Sequence, residues 1–348
     1  MSISWSGGGY DVLSWRVFRV DPLTWADGEQ LRGVNEVTVD RSAEGTIERG
    51  ELSVDSVVGG EFTEGYYRIA MTASQGGEAE RVDVATLLCV STSDVTNRGV
   101  SVMAVTGRSV LHPASTKRLA IGSYAPKGVD GAAYCADMLR DAINAPVEAY
   151  GSFTLDDHVV FDAGISVLDA VWLVLDAGNF VLQISGDGTV SILPKPTEPS
   201  LDLDLAHARL MQPEVSRELD WSEVPNRYFA VDNGVVAAAV NDRPESETST
   251  VRRRWCSDVV DESPTRVDGE SLRAYAERRL EELSMVRDSR TYRREWWPGV
   301  YPFSVIRGSI SSVGMEGDFR VESQHITCGT GIVVEEKAFK EVYSWRRT

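Results

Sequence analysis

The side chains that most often carry out acid–base or metal chemistry are few in this sequence and lie far apart. The histidines are His112, His158, His207 and His325. None stands at metal-ligand spacing from another or beside a plausible nucleophile, so each is predicted to be structural or solvated. The sequence also contains no phosphate-binding loop of the form G-x-x-x-x-G-K-[ST] and no G-x-S-x-G nucleophile motif.

Two pairs of aspartates are candidates for the hydrolysis of sugars, which requires two cooperating carboxyl groups. They are Asp156 with Asp157 and Asp202 with Asp204. Neighbours in a strand point to opposite faces, which separates Asp156 from Asp157, whereas Asp202 and Asp204 share a face. A β-rich glycoside hydrolase is therefore the enzymatic alternative. We nevertheless predict that the protein is not an enzyme and has no catalytic site, no metal site and no cofactor.

The cysteines and one glycine-rich turn give no stronger sign of chemistry. The four cysteines are Cys89, Cys135, Cys256 and Cys328. They form no C-x-x-C pair, and Cys135 lies in a helical pattern and Cys89 in an apolar strand, so we predict buried thiols at these positions in a protein that folds in a reducing cytoplasm. Gly186-Asp187-Gly188 lacks the later glutamate of a calcium-binding loop and is predicted to join two strands.

Two short runs of residues are candidates for contact with a partner protein. Arg252, Arg253 and Arg254 form a basic run inside an acidic chain. The run is either a solvated, salt-bridged face or an inter-subunit surface, since arginine forms bidentate contacts with carboxylates. Trp296 and Trp297 stand just before a predicted strand and are either core residues or partner anchors.

Charge and composition exclude several classes of protein. The 348 residues include 35 Lys and Arg against 53 Asp and Glu, a formal net charge of −18. Such a field repels phosphate backbones and anionic membranes, so tight nucleic-acid binding is disfavoured. The charge favours solubility or a surface that nucleic acid passes without adhering. No apolar run approaches the roughly 20 residues that span a bilayer, so no membrane insertion is expected.

The elements that must position these residues begin with a β-rich region over residues 1–110. Short apolar or alternating runs separated by turn residues predict six strands there. They are Trp15–Val20, Val34–Asp40, Glu51–Val58, Tyr66–Thr72, Arg81–Ser91 and Val100–Thr106. Strands at this spacing with no helix between them are typical of an antiparallel barrel or sandwich.

In residues 111–199 the spacing of the apolar residues changes from that of strands to that of helices. This change predicts a small α/β domain. Asp130 is placed to cap a first helix, and a second helix follows Asp162 and ends at Gly178-Asn179. A hairpin over 180–193 and three prolines complete the unit.

Residues 200–348 return to strands and predict a second β domain. Asp232-Asn233-Gly234 marks a hairpin, and one long helix spans about 270–287. Further strands are expected at Phe303–Ile310, Asp318–Thr327 and Gly331–Phe339. The fold class is thus mainly β with an α/β insert.

The order of these parts resembles bacteriophage tail hub and baseplate hub proteins of the late-control type. The resemblance rests on SLRAYAERRLEE, WWPGVYPFSVIRGSI and GMEGDFRVESQHITCGTGIVVEEKAF, which run from Ser271 to Phe339. It also rests on DAGISVLDAVWLVLDAGNFVLQISGDGTVSILPKP and VPNRYFAVDNG. It covers roughly 162–339, about half of the chain, and the first 110 residues match only as a β-rich domain.

The resemblance implies a homotrimer whose two tail-tube-like antiparallel β-barrels per chain form a pseudo-sixfold ring. Such a ring adapts the tail tube to the tip and surrounds the channel through which DNA is ejected, so DNA is a transient passenger. The implied partners are the distal tail protein, the tape-measure protein and tip or fibre proteins of a virion tail that is assembled in the host cytoplasm. A receptor- or carbohydrate-binding tail protein is the alternative, favoured by the tryptophans.

Overall fold

The computed structural model describes residues 3, 5, 9–43, 48–55, 62–97, 100–203, 215–262, 264 and 271–346. The chain divides into two compact units by its internal contacts. Unit 1 comprises Met1–Val215 and Thr291–Ala338, and unit 2 comprises Ser216–Arg290 and Phe339–Thr348. The division into domains at 1–110, 111–199 and 200–348, with two barrels, stays a prediction.

Unit 1 begins with seven strands among the described residues. They are β1 (Asp11–Val20), β2 (Asp27–Leu31), β3 (Val34–Ser42), β4 (Glu48–Asp55), β5 (Gly65–Gln75), β6 (Glu78–Asn97) and β7 (Val100–Arg108). The six predicted strands are therefore confirmed, the strand predicted at Glu51–Val58 only as far as Asp55, because residues 56–58 lie outside the described residues. β2 was not predicted, because this edge strand is short and largely solvent-exposed and carries no apolar alternation.

The α/β segment of unit 1 follows. Its elements are α1 (His112–Thr116), β8 (Tyr124–Ala125), α2 (Gly131–Arg140), β9 (Val147–Ala149), β10 (Val159–Val160), α3 (Val167–Ala177), β11 (Phe180–Ile184) and β12 (Val190–Pro194). Asp130 caps α2 as predicted, accepting from the N–H of Ala132 at 3.0 Å. Ser166 caps α3, so that helix starts later than expected from Asp162. β13 (Pro199–Leu203) comes next.

Unit 2 is a small sheet covered by a helix. Its elements are β14 (Ser216–Leu219), β15 (Arg227–Asp232), β16 (Val235–Val240), α4 (Thr250–Arg253), β17 (Asp258–Asp261) and α5 (Leu272–Leu283). The predicted hairpin turn is confirmed, with positive φ at Asn233 (50°) and Gly234 (79°). The predicted long helix is confirmed as α5, but it ends at Leu283, where the hydroxyl of Ser284 donates to the carbonyl of Leu280 at 2.6 Å.

The last four strands return the chain to unit 1. They are β18 (Met285–Glu295), β19 (Val305–Ile310), β20 (Met315–Cys328) and β21 (Ile332–Tyr343). In unit 1 the sheet runs β18-β21-β20-β3-β4-β7-β6-β5-β1-β2, with β19 on β20 and β13 on β19. β20 pairs antiparallel with β3, Ile326 opposite Val39, so strands from the two ends of the sequence share one sheet. The fold is mainly β with a smaller helical part, as predicted.

Candidate interaction surfaces

The three histidines within the described residues each have polar neighbours. His325 Nδ1 lies 2.7 Å from Asp40 Oδ1 across β20 and β3, and both side chains are exposed. His158 Nδ1 accepts from the backbone N–H of Lys127 at 3.0 Å. The hydroxyl of Ser115 donates to the backbone carbonyl of His112 at 2.8 Å and lies 3.4 Å from His112 Nδ1. His207 lies outside the described residues.

The aspartate pairs do not form an acid–base site among the described residues. Asp156 and Asp157 are both exposed, and Asp157 pairs with Lys127 at 3.3 Å. Asp202 is an exposed residue of β13, while Asp204 lies outside the described residues. Within the described part of the chain, no group of three or more His, Cys, Asp or Glu could hold a metal ion.

Three of the four cysteines are buried and the fourth is exposed. Cys89 and Cys135 are buried as predicted, Cys328 is buried as well, and Cys256 lies at the surface. Burial raises the pKa of the Cys89 thiol to about 12. A thiol with that pKa carries almost no thiolate at neutral pH, so Cys89 is a packing residue.

The Gly186-Asp187-Gly188 turn positions the α/β segment on the sheet of unit 1. The carbonyl of Asp187 accepts from Trp25 Nε1 at 2.8 Å and from Arg68 at 3.0 Å. A Cβ on Gly186 would lie 1.8 Å from the carbonyl oxygen of Asp83, so only glycine allows this approach. The turn joins β11 and β12 as predicted, and its contacts are those of a packing element.

The two tryptophans are core residues, which is the first of the two alternatives left open by the sequence. Trp296 is 1% exposed and Trp297 is 3% exposed. Each packs in a different apolar cluster of unit 1. The alternative of exposed partner anchors is therefore wrong for both residues, because other side chains of unit 1 bury both rings.

A buried ion pair lies beside Trp297. Arg294 donates to Glu336 Oε2 at 2.6 Å, and both side chains are 0% exposed. Gln324 also donates to Glu336 Oε2 at 2.6 Å. Burial, together with the nearby Glu336 carboxylate, raises the pKa of Tyr292 well above its usual value. Tyr292 therefore stays protonated and donates its hydroxyl to Glu336. The pair joins β18 to β21 at the level of their side chains.

The three arginines of the basic run have three different environments in unit 2. Arg252 is exposed and pairs with Glu247 at 2.9 Å. Arg253 is committed to its own unit, since it donates to the carbonyl of Val224 at 2.7 Å and stacks 4.6 Å from the Trp255 ring. Arg254 is exposed in the left-handed conformation that ends α4. The structure thus brings the run to one surface, with Arg252 and Arg254 facing solvent.

A polar face lies on the central strands of unit 1. Along β3, the buried residues Val37 and Val39 alternate with side chains that point to the opposite side of the sheet. The residues of this polar face are Glu36, Thr38, Asp40, Arg49, Glu51, Ser53, His325 and Thr327. The register places Thr38 between Glu51 and Thr327, so the face is continuous over three strands.

The charge of the chain is concentrated in unit 1. By sequence, unit 1 holds 20 Lys and Arg against 36 Asp and Glu, a formal net charge of −16. Unit 2 holds 15 against 17, a net charge of −2. Most of the net charge of −18 therefore lies in unit 1.

The fold matches solved structures of tail proteins over nearly its whole length. The tail protein from Neisseria meningitidis MC58 has a TM-score of 0.64 at 13% identity, with 96% of this chain and 97% of that chain covered. The 43 kDa tail protein of prophage MuSo2 from Shewanella oneidensis has a TM-score of 0.63 at 13% identity, with 93% and 97% covered. The chain has the fold of these tail proteins.

A complex from Francisella contains a match with a lower TM-score. One chain of the half-lidded Francisella PdpA–VgrG complex has a TM-score of 0.51 at 7% identity. It covers 97% of this chain but only 60% of that chain. No protein-family model and no curated protein matches the sequence. The resemblance to phage tail hub and baseplate proteins, inferred from residues 162–339, is confirmed at the level of the fold.

None of the helices in the described part of the chain combines the length and the apolar character needed to span a bilayer.

Proposed function

We propose that this chain is a structural hub protein of a phage tail tip or baseplate and not an enzyme. In this role three copies form a ring that adapts the tail tube to the tip and surrounds the DNA channel. The observation that carries the proposal is the match to two tail proteins with TM-scores of 0.64 and 0.63, covering 97% of each of those chains. A match over the whole length of both proteins supports a shared architecture rather than a shared module.

The polar face of unit 1 is the surface that we assign to the channel. Its carboxylates are Glu36, Asp40 and Glu51, its arginine is Arg49, and threonines and serine fill the space between them. Arg49 lies opposite Arg108 of the neighbouring strand β7 and pairs with Asp40 at 3.5 Å. DNA carries one negative charge per about 1.7 Å of helix axis, so an acidic wall repels its phosphates. A wall of short polar side chains gives the passing duplex few sites to which it can adhere.

The partners follow from this position in the tail. The chain contacts two further copies of itself, the distal tail protein, the tape-measure protein and tip or fibre proteins. Arg252 and Arg254 are the residues of the basic run that we assign to such contacts, because Arg253 is bound to its own unit. The protein resides in the virion tail and is assembled in the host cytoplasm.

The test of this role is the structure of the tail particle. We expect cryo-electron microscopy of purified tails to show three copies of the chain around the channel at the tip. The isolated 38.2 kDa chain should also yield an assembly of three copies, measured by mass photometry. A particle that lacks the chain, or holds it in a number other than three or away from the channel, contradicts the proposal.

The channel assignment has its own test. Glu36→Arg combined with Glu51→Arg turns the wall cationic, so particles should assemble but release DNA more slowly. Glu29→Arg is the matched control, because Glu29 is an exposed strand glutamate on β2, outside the polar face. Equal rates of DNA release in both variants would show that the polar face does not line the channel.

The receptor- or carbohydrate-binding alternative loses its sequence basis, because Trp296 and Trp297 are buried. A glycan array with the full chain tests it directly, and specific binding would restore it.

A further inference from the structure

The hairpin between β15 and β16 carries an Asn-Gly pair at its tip. Asp232 lies opposite Val235 in the register of the two strands, so Asn233 and Gly234 are the two residues of the turn. Both have positive φ, 50° and 79°, and both are exposed to solvent. Positive φ at both central residues is typical of a type I′ turn, for which Asn-Gly is a favoured sequence. The turn therefore selects this pair of residues and presents it to water.

The two residues of this turn can react with each other. The backbone nitrogen of Gly234 is a nucleophile once it has lost its proton, and the side-chain amide carbon Cγ of Asn233 is an electrophile. A bond between these two atoms closes a five-membered ring. In other sequences the side chain of the second residue crowds this approach, whereas glycine has no Cβ. Asn233 is the only asparagine in the sequence that is followed by glycine.

The hydrogen bonds of the turn leave the attacking nitrogen available. In a two-residue hairpin the closing pair, here Asp232 and Val235, makes the backbone hydrogen bonds. The N–H of Gly234 donates to no acceptor among the residues that the structure describes. A Cβ at Gly234 would meet nothing within 4 Å, so the space around this residue is open. Asn233 Nδ2 donates to Asp232 Oδ1 at 2.9 Å, a bond that holds the leaving nitrogen and not the carbon that is attacked.

Asn179 in unit 1 shows the same backbone conformation without the accessible nitrogen. Asn179 is exposed and also has positive φ, 55°. The residue after it is Phe180, a strand residue of β11 that is only 8% exposed and packs in an apolar cluster. The nitrogen that would attack Asn179 therefore belongs to a residue with a buried, bulky side chain. Asn179 is the internal reference for Asn233.

We propose that Asn233 is a site of spontaneous deamidation and isoaspartate formation. The nitrogen of Gly234 forms a bond to Cγ of Asn233, the Cγ–Nδ2 bond breaks, and Nδ2 leaves as ammonia with the proton that the Gly234 nitrogen gave up. Water then adds to one of the two carbonyl carbons of the ring and breaks the bond from that carbon to nitrogen. Addition at Cγ gives aspartate. Addition at the backbone carbonyl carbon gives isoaspartate, in which the main chain runs through the former side chain.

Both products change the turn. Each places a second negative charge beside Asp232 and removes the N–H group that Asp232 accepts in the unmodified chain. Like charges this close repel each other. Isoaspartate also adds one methylene group to a turn whose dihedral angles fit two residues. The hairpin should therefore open more readily, and β16 is the strand most affected, because it pairs with β15 alone among the described strands.

The first experiment follows the full chain by peptide mapping with mass spectrometry during incubation at neutral pH. Deamidation at Asn233 should be at least about tenfold faster than at Asn179, because only Asn233 is followed by a residue without Cβ. The products at position 233 should include isoaspartate, which forms only through the ring. Deamidation of Asn233 that is no faster than that of Asn179 overturns the proposal, as does a product that contains aspartate alone.

The second experiment tests the ring closure with variants. Gly234→Ala adds a Cβ beside the attacking nitrogen and should slow the reaction at Asn233. Gly76→Ala is the matched control, because Gly76 is also a turn glycine with positive φ and with nothing within 4 Å of an added Cβ. Asn233→Gln keeps the amide but requires a six-membered ring, so position 233 should stay unmodified even if Gly234→Ala does not fold. Equal rates at Asn233 in Gly234→Ala and Gly76→Ala contradict the proposed attack, as does rapid deamidation of the glutamine.

The third experiment measures the effect on the hairpin. Ion-exchange chromatography separates the deamidated chain, which carries an additional negative charge, from the unmodified chain. Hydrogen exchange of peptides from β15 and β16 should be faster in the deamidated fraction, while peptides from β11 and β12 keep their rates. Asn233→Asp carries the charge without the additional methylene group and should show a smaller increase. Equal exchange of β16 in the deamidated and unmodified fractions overturns the predicted opening of the hairpin.

Discussion

The sheets of the two units differ in the side chains on the face that lies opposite the buried core. In unit 1, β3 and β4 bury Val37, Val39 and Leu52 completely and present polar side chains on the other side. In unit 2, β16 buries Ala239 against α5 but presents Val236 and Val240 to solvent. A polar second face is stable in water, whereas an apolar one indicates a protein partner. The comparison teaches that one sheet is built to face water and the other to be covered.

The largest loss of stability is expected from a substitution in the buried ion pair of unit 1. Arg294→Ala leaves Glu336 buried without its cation, which should lower the free energy of unfolding by about 3–5 kcal/mol. Arg293→Ala is the control on the same strand, because Arg293 pairs with Glu335 at 2.7 Å with both side chains exposed. Denaturant titration measures both variants. Equal losses of stability in the two variants would show that the buried ion pair contributes no more to folding than the exposed one.

The next largest loss of stability is expected on the buried, apolar side of the unit 1 sheet. Val39→Ala removes buried methyl groups from a residue with 0% exposure and should cost about 2–3 kcal/mol, with a cavity contributing part of the loss. Thermal unfolding followed by circular dichroism measures this cost. A loss close to zero would mean that the core around β3 relaxes into the space.

Unit 2 has a buried charge of its own, and its effect depends on pH. Burial alone would raise the pKa of Asp288, but hydrogen bonds from Arg290 and Arg217 outweigh it and hold the pKa below 3.8. Asp288→Asn should therefore lower the opening free energy of β18 by about 2 kcal/mol at neutral pH. Because the folded-state pKa is depressed, this contribution is present above 3.8 and is lost as the pH falls further, through the folded-state pKa.

Hydrogen exchange of β18 peptides at several pH values measures this difference between wild type and variant. A gap that stays constant into the acid range would show that the Asp288 carboxylate is not the source of the stability.

The smallest loss of stability is expected on the exposed face of the unit 2 sheet. Val236→Ala removes the same two methyl groups as Val39→Ala, but at a residue with 60% exposure. The free energy of unfolding of the isolated monomer should change by no more than about 0.5 kcal/mol. Thermal unfolding at a dilution that keeps the chain monomeric measures it. A loss as large as that of Val39→Ala would mean that this face is already covered within the chain.

Local signals in the sequence predicted much of the fold. Asp130 before α2 and Asn233-Gly234 between β15 and β16 act within a few residues, so their effect can be inferred without the rest of the chain. β2 was not predicted because its short, exposed run carries no apolar alternation, and α5 ends at Leu283 rather than at about 287 because the chain enters β18 at Met285. The candidate interaction surfaces were harder to predict than the fold. The basic run indicated Arg252 and Arg254, whereas the only sequence signal for β16 is its unbroken apolar run.

By itself, the sequence determined the mainly β class, the order of hairpins and helices, and the scarcity of groups that carry chemistry. Those properties follow from residue type and short-range spacing. Only the tertiary structure decided that Trp296 and Trp297 are buried, and that β20 pairs with β3 so that His325 meets Asp40. Only the tertiary structure left one apolar face of unit 2 uncovered. Strand pairing and side-chain burial depend on contacts between residues far apart in the chain, and a periodic pattern cannot tell which partner covers an apolar face.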